Sequence, residues 1–174
     1  MSTRYFVRLI FSILLCGSVL VLSYAQQPSH FVLGKAELSE YSIYNLTQDD
    51  QGNYWIATNY GIVKYDGYTF MPMKVESMID NSVFAWTTDK KGNLYCHNLS
   101  GQIFKVEDDR VELFYQVPDS LMANNLYMGF DQQNNLVLAT NSLFRITADK
   151  QIAMLYAGKG SLTHFTTLFK AMDG

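Results

Sequence analysis

Short apolar runs alternate with polar turns along most of the chain, and the alternation repeats. "YNLTQDDQGNYWIAT" (Tyr44 to Thr58), "FAWTTDKKGNLYCHN" (Phe84 to Asn98) and "MGFDQQNNLVLAT" (Met128 to Thr140) share one frame. Asp49, Asp89 and Asp131 open the turn, at spacings of 40 and 42 residues. Gly52, Gly92 and Asn134 follow three positions later, and Asn53, Asn93 and Asn135 come next. Beyond each turn lie an apolar run, a second turn and another run: "GIVKY", "GQIFKV" and "SLFRI", then "YTFMPM", "VELFYQV" and "IAMLYAG". Aromatic and β-branched residues dominate these runs, and no long stretch has helical periodicity, so each unit predicts four short strands. The Asp-x-x-Gly-Asn spacing suits a hairpin. Asp bonds amides across the turn, and Gly, or Asn in the third unit, accepts the positive φ.

Four strands in a unit of about 40 residues are the signature of a β-propeller blade. The predicted fold is therefore all-β: an incomplete β-propeller of three four-stranded blades plus the first strand of a fourth. The units fall at about 43–82, 83–125 and 126–165, with the start of a fourth at 166–174, where "TTLFKAMDG" aligns with "YNLTQDDQG". On this reading the sequence is an N-terminal fragment whose last blade keeps an open edge. Residues 26–174 alone are then expected to associate rather than stay monomeric.

The N-terminus adds a processing segment. Arg4 and Arg8 precede the apolar stretch Leu9–Leu22, and Ser23 and Ala25 stand where a signal peptidase reads small residues. Residues 1–25 read as a secretory signal peptide cleaved between Ala25 and Gln26, and 26–42 as a lead-in. An uncleaved anchor is the alternative. A lipoprotein signal fits poorly, because Cys16 follows Leu15 inside the apolar run. Removing the segment loses two arginines and no acid, which takes the net charge from −3 to −5. That balance argues against a nucleic-acid partner. Cys96 would be the one cysteine left, so no intrachain disulfide is available.

The first unit, "IYNLTQDDQGNYWIATNYGIVKYDGYTF" (Ile43 to Phe70), resembles the two-component regulator propeller repeat. Asp49, Gly52, Asn53, Trp55, Ile56, Thr58, Gly61, Tyr65, Asp66, Gly67 and Phe70 fit that pattern, while Ala57 replaces its Gly and Lys64 its Arg. The likeness weakens in the second unit, with Tyr95 at the Trp position, and again in the third, with Val137. The lead-in "FVLGKAELSEYSIYNL" is similar to the segment that precedes the first blade in such proteins. The resemblance implies the propeller region of a Bacteroidetes-type membrane sensor. It would be exported to the periplasmic face of the inner membrane and receive a ligand or partner there. A β-sandwich, a membrane helix and a kinase or DNA-binding output would lie beyond the given stretch. It implies no catalysis or cofactor in this stretch, membrane contact only through the downstream helix, and a dimer as an arrangement open to the intact sensor. The alternative is the N-terminal part of a secreted propeller enzyme or adhesion protein.

Few residues invite chemistry. Asp49, Gln51 and Asn53 offer one carboxylate at alternate positions, with no acid closing the loop, so a calcium loop fails. Cys96 and His97 are adjacent on a predicted strand and point to opposite faces, so they cannot chelate one ion. His30 and His164 fall in no ligand spacing. Asn45-Leu46-Thr47 and Asn98-Leu99-Ser100 match the N-glycosylation pattern by chance. Trp55 is expected to pack between blades rather than to line a ligand platform. Candidate ligand loops are those following the second strand of each unit: Asn59 and Tyr60, Asn98 and Ser100, Asn141 and Ser142. Their amides and hydroxyls suit a neutral polar small molecule such as a glycan. The competing reading is that Asn and Ser are ordinary turn residues.

Overall fold

The computed structural model describes residues 32–122 and 126–157. The chain divides into two compact units, 1–35 and 36–174. Of the first, only residues 32–35 are described. The signal segment with its Ala25–Gln26 junction, His30, His164 and the start of a fourth repeat at 166–174 all lie outside the described residues.

Among the described residues the second unit has twelve strands in three antiparallel four-stranded sheets, each a simple meander. Sheet 1 consists of β1 (Ile43–Gln48), β2 (Tyr54–Thr58), β3 (Gly61–Tyr65) and β4 (Phe70–Met73). Sheet 2 consists of β5 (Val83–Thr88), β6 (Leu94–Asn98), β7 (Gln102–Glu107) and β8 (Arg110–Gln116). Sheet 3 consists of β9 (Tyr127–Phe130), β10 (Leu136–Ala139), β11 (Leu143–Ile146) and β12 (Ile152–Tyr156). A 3₁₀ turn, Asp119–Leu121, lies in the connection between sheets 2 and 3.

The turn between the first and second strands of each sheet has one design. Asp49 Oδ1 accepts the amides of Gln51 (3.0 Å) and Asn53 (2.8 Å). Asp89 Oδ1 accepts those of Lys91 and Asn93, and Asp131 Oδ1 those of Gln133 and Asn135. The fourth residue has positive φ in every copy: 89° at Gly52, 88° at Gly92 and 65° at Asn134. A fourth copy joins β11 to β12. There the Thr147 amide bonds Gln151 O at 3.0 Å, Thr147 Oγ1 accepts the Gln151 amide, and Lys150 has φ 63°. The sequence hides this copy, because Thr replaces Asp and Lys takes the left-handed position. The β7–β8 hairpin turns instead on Asp108 and Asp109, both at positive φ, as a two-residue loop of the right twist requires.

The sheets pack face to face through one core. Trp55, Ala57 and Ile62 of sheet 1 meet Leu94, Cys96, Phe104 and Val106 of sheet 2, and Leu136, Leu138, Phe144 and Ile146 come from sheet 3. The first strands are neighbours: β5 packs against β1 and β9. The repeated turns also touch. Asp50 Oδ2 lies 2.6 Å from where a Gly92 Cβ would stand, and Asn134 Oδ1 accepts the Lys90 amide at 2.7 Å. All three copies therefore share one end of the stack.

Candidate functional site

Strand direction alternates within a meander. The β1–β2 and β3–β4 turns and their counterparts therefore occupy one end, and the β2–β3, β6–β7 and β10–β11 loops the other. The second group carries the candidate ligand residues. Each of these loops is closed by a buried polar residue at its first position: Thr58, Asn98 and Thr140. Thr58 Oγ1 donates to Gly61 O (2.8 Å) and accepts the Tyr60 amide (3.1 Å). Asn98 Oδ1 accepts the Gln102 amide (2.9 Å), and Thr140 Oγ1 the Ser142 amide (3.4 Å).

This arrangement separates the six candidates. Asn98 is 0% exposed, and its amide donates to Asp80 O and Gln102 Oε1, both at 2.9 Å. It is a loop-closing residue with no surface to offer a ligand, which also takes the acceptor Asn of its sequon out of reach. Asn59 is half-buried and ties the loop to the lead-in, its Oδ1 accepting the Ser42 amide at 2.7 Å. Ser100 is half-buried, and its carbonyl accepts from Gln116 Nε2 at 2.8 Å. Ser142 is half-buried, and Asn141 is exposed. Tyr60 is exposed as well, at 61%, with its ring edge-on to Tyr41 at 5.7 Å.

Sequence reasoning missed two partners in this region. Tyr41 lies in the lead-in, where nothing in the sequence marks it. Gln102 is 2% exposed; its Oε1 accepts the Ile79 amide (2.7 Å) and its Nε2 donates to Ser77 O (2.7 Å), pinning the β4–β5 connection to this end. A lone Gln opening a strand gives no signal for such a role.

At the opposite end the carboxylates are structural. Asp49 Oδ2 accepts the Asn53 side-chain amide and the Trp55 indole N–H, both at 2.9 Å. Burial alone would raise its pKa. The bonds from Trp55, the Asn53 side chain and the amides of Asn53 and Gln51 outweigh that and hold it below the ordinary value. Asp131 is likewise lowered against the effect of burial, through the bonds from Asn135 and Gln133 and the charge of Arg145. Arg145 Nε lies 2.9 Å from Asp131 Oδ2, within ion-pair reach although off the hydrogen-bond direction.

Cys96 is 0% exposed, and burial pushes its thiol pKa up, which suppresses thiolate chemistry. Among the described residues no group of three or more His, Cys, Asp or Glu could hold a metal ion. No described helix is long and apolar enough to cross a membrane.

His97 is 4% exposed, stacked on Phe84, with Nδ1 placed 3.3 Å from Asn98 O. Burial pushes its pKa down to about 4. The unfolded chain binds the proton first, so stability is full above about pH 6.5 and falls as pH drops towards 4. The expected loss across that window is on the order of 2 kcal/mol. Denaturant titrations at pH 7 and 4.5 check it. A His97→Leu variant should flatten the dependence, and an unchanged slope would contradict the assignment.

Comparison with known proteins agrees with this architecture. Residues 37–60 match the family model described as two component regulator propeller. No curated protein matches the chain. Virginiamycin B lyase from Staphylococcus aureus, solved with quinupristin, is similar in fold, with a TM-score of 0.57 at 13% identity over 70% of this chain and 43% of that one. A streptogramin B lyase structure gives a TM-score of 0.55 at 16% identity, over 70% and 42% of the two chains. The extracellular domain assigned to a hybrid two component system from B. thetaiotaomicron gives 0.54 at 16% identity, over 71% and 18%. The chain thus spans less than half the length of these solved structures. Residues 37–60 thus match a two-component regulator propeller repeat, in a chain whose three described four-stranded sheets have the β-propeller fold.

Proposed function

We propose that the chain is the ligand- or partner-receiving propeller region of an exported two-component sensor, and that it does no catalysis itself. The observation that carries this reading is the repeat match at residues 37–60, which covers Asp49, Asn53 and Trp55. The fold likeness to the extracellular domain from B. thetaiotaomicron is compatible with it, and with a place at the periplasmic face of the inner membrane. The receiving surface is the loop end around Tyr60, Asn141 and Ser142, with Asn59 and Ser100 behind them. An exposed Tyr beside amide and hydroxyl groups suits a neutral polar ligand such as a glycan, because a flat ring stacks on a sugar face while Asn and Ser meet its hydroxyls.

The test is calorimetric titration of the exported chain with neutral tetrasaccharides of glucose, xylose and mannose. At least one should bind, and Tyr60→Ala should weaken it about tenfold, or 1.4 kcal/mol. Binding by none, or binding indifferent to Tyr60, would turn attention to the second reading, a secreted propeller enzyme or adhesion protein. The fold likeness to the two lyases keeps that reading open.

A further inference from the structure

Two equivalent clefts open between neighbouring sheets at the Asp-turn end, and their chemistry differs. The cleft between sheets 1 and 2 has a volume of about 170 Å³ and is rimmed by Asp49, Asp50, Glu107, Asp108 and Asp109. Lys64 of sheet 1 reaches across to Asp109 of sheet 2 at 2.6 Å, with its ammonium 5.6 Å from the Trp55 ring centre. The protein thus supplies its own carboxylate to this lysine, above an aromatic floor.

In the next cleft the frame recurs, but the carboxylates nearest the lysine belong to its own sheet, Glu107 and the Glu112 that stands opposite it on β8, while Asp149 of the facing turn accepts from Thr147 Oγ1. Lys105 pairs in register with Tyr95 as Lys64 does with Trp55. Among the described residues no ion pair crosses from sheet 2 to sheet 3; Lys105 contacts Glu107 of its own strand instead. The turn that faces it in sheet 3 brings Thr147 and Ala148 to the wall, where the previous cleft has Asp109. The opening measures about 200 Å³ and is walled by Tyr95, Phe114 and Phe130, with Lys91 and Lys105 at its edge. Phe114 and Phe130 lie 5.2 and 4.9 Å from the Tyr95 ring. Lys150 adds a third cation, 5.5 Å from the Phe114 ring centre. Asp89 lies at the base, but its oxygens already accept from two backbone amides, the Asn93 side chain and the Tyr95 hydroxyl.

We propose that the cleft between sheets 2 and 3 is a binding site for a small carboxylate with a flat apolar body. Its carboxylate would take the place against Lys105 that Asp109 takes against Lys64, and its ring the space between Phe114 and Phe130. The volume fits, since an apolar cavity of about 150 Å³ holds benzene. Lys91 and Lys105 at the edge select the anion, because their charge attracts a carboxylate and gives a neutral ring no equivalent gain. The site lies at the opposite end of the sheets from Tyr60, so its fate is independent of the glycan reading.

Sodium benzoate is the probe, followed by amide chemical shifts of the ¹⁵N-labelled chain, with benzyl alcohol as the neutral counterpart. Benzoate should give saturable shifts at Tyr95, Lys105, Phe114 and Phe130, and benzyl alcohol should bind at least tenfold more weakly. Lys105→Gln should weaken benzoate at least tenfold. Ala148→Asp, which sets a carboxylate on the wall of the cleft itself, should abolish binding and also serves if Lys105→Gln does not fold. Absence of saturable shifts, equal affinity for benzyl alcohol, or full binding by Ala148→Asp would each overturn the proposal.

Discussion

Replacing Trp55 by alanine is expected to destabilise the chain by about 3–5 kcal/mol. Trp55 is 1% exposed, at the junction of sheets 1 and 2. Its ring meets Trp86 of β5 edge-on at 6.4 Å, carries the Lys64 ammonium 5.6 Å from its centre, and donates its indole N–H to Asp49. Alanine would leave a cavity between sheets, take a donor from a carboxylate that already holds the turn, and strip the floor from the Lys64–Asp109 pair. Neither Tyr95 nor Val137, at the equivalent positions of sheets 2 and 3, reaches this junction to compensate. Urea unfolding of the two proteins measures the difference. A Trp55→Phe variant should lose clearly less, because it keeps an aromatic ring at the junction and gives up the indole bond and only part of the packing volume. A loss under about 1 kcal/mol for alanine would mean that Trp55 does not bridge the sheets.

Asp89→Ala should follow at about 2–4 kcal/mol, since several bonds end on this one 7%-exposed carboxylate. The amides of Lys91 and Asn93 bond Oδ1 at 2.8 and 3.0 Å; the Asn93 side chain and the Tyr95 hydroxyl bond Oδ2 at 2.9 and 3.3 Å. Alanine strands these donors, two of them belonging to partly or wholly buried side chains. Asp89→Asn retains an acceptor for the backbone amides and should lose only part of the stability. Thermal melts of the three proteins check the order. Equal stability of the alanine and asparagine variants would show that the turn does not depend on the carboxylate oxygens.

The strands and the repeated turn were legible because their determinants are local. Asp49, Asp89 and Asp131 each act on residues two and four positions on, and Gly52, Gly92 and Asn134 answer a backbone angle at their own position. Trp55 and Ile56, neighbours on β2 and therefore on opposite faces, are both buried, as an apolar run in a short strand leads one to expect. What escaped depends on stacking. Lys64 and Asp109 are 45 residues apart, and nothing near either one announces the pair. Asn98 looks like any turn Asn in sequence, and its burial follows from the Lys74–Ser82 connection folding over it, where Asp80 O takes its amide. Ala85 sits at φ 46° in a bulge of β5, a conformation that Ala does not advertise. Of the candidate ligand loops, their common end of the stack was readable from the strand order. Which side chains face solvent there was not, because Thr58, Asn98 and Thr140 are drawn inward by bonds to their own loops.

The central claim is that consecutive repeats stack face to face as propeller blades, with the Trp55 position bridging one sheet to the next. Nuclear Overhauser contacts between aromatic protons test it most directly in a ¹³C-labelled chain. Cross-peaks are expected between Trp55 and Trp86, between Tyr44 and Phe84, whose rings stack at 4.6 Å, and between Tyr95 and Phe130. All three pairs join different sheets. If the pairs within a sheet, such as Tyr65 with Phe70 at 4.4 Å, gave cross-peaks while these three gave none, the repeats would be separate meanders and the stacked account would be wrong.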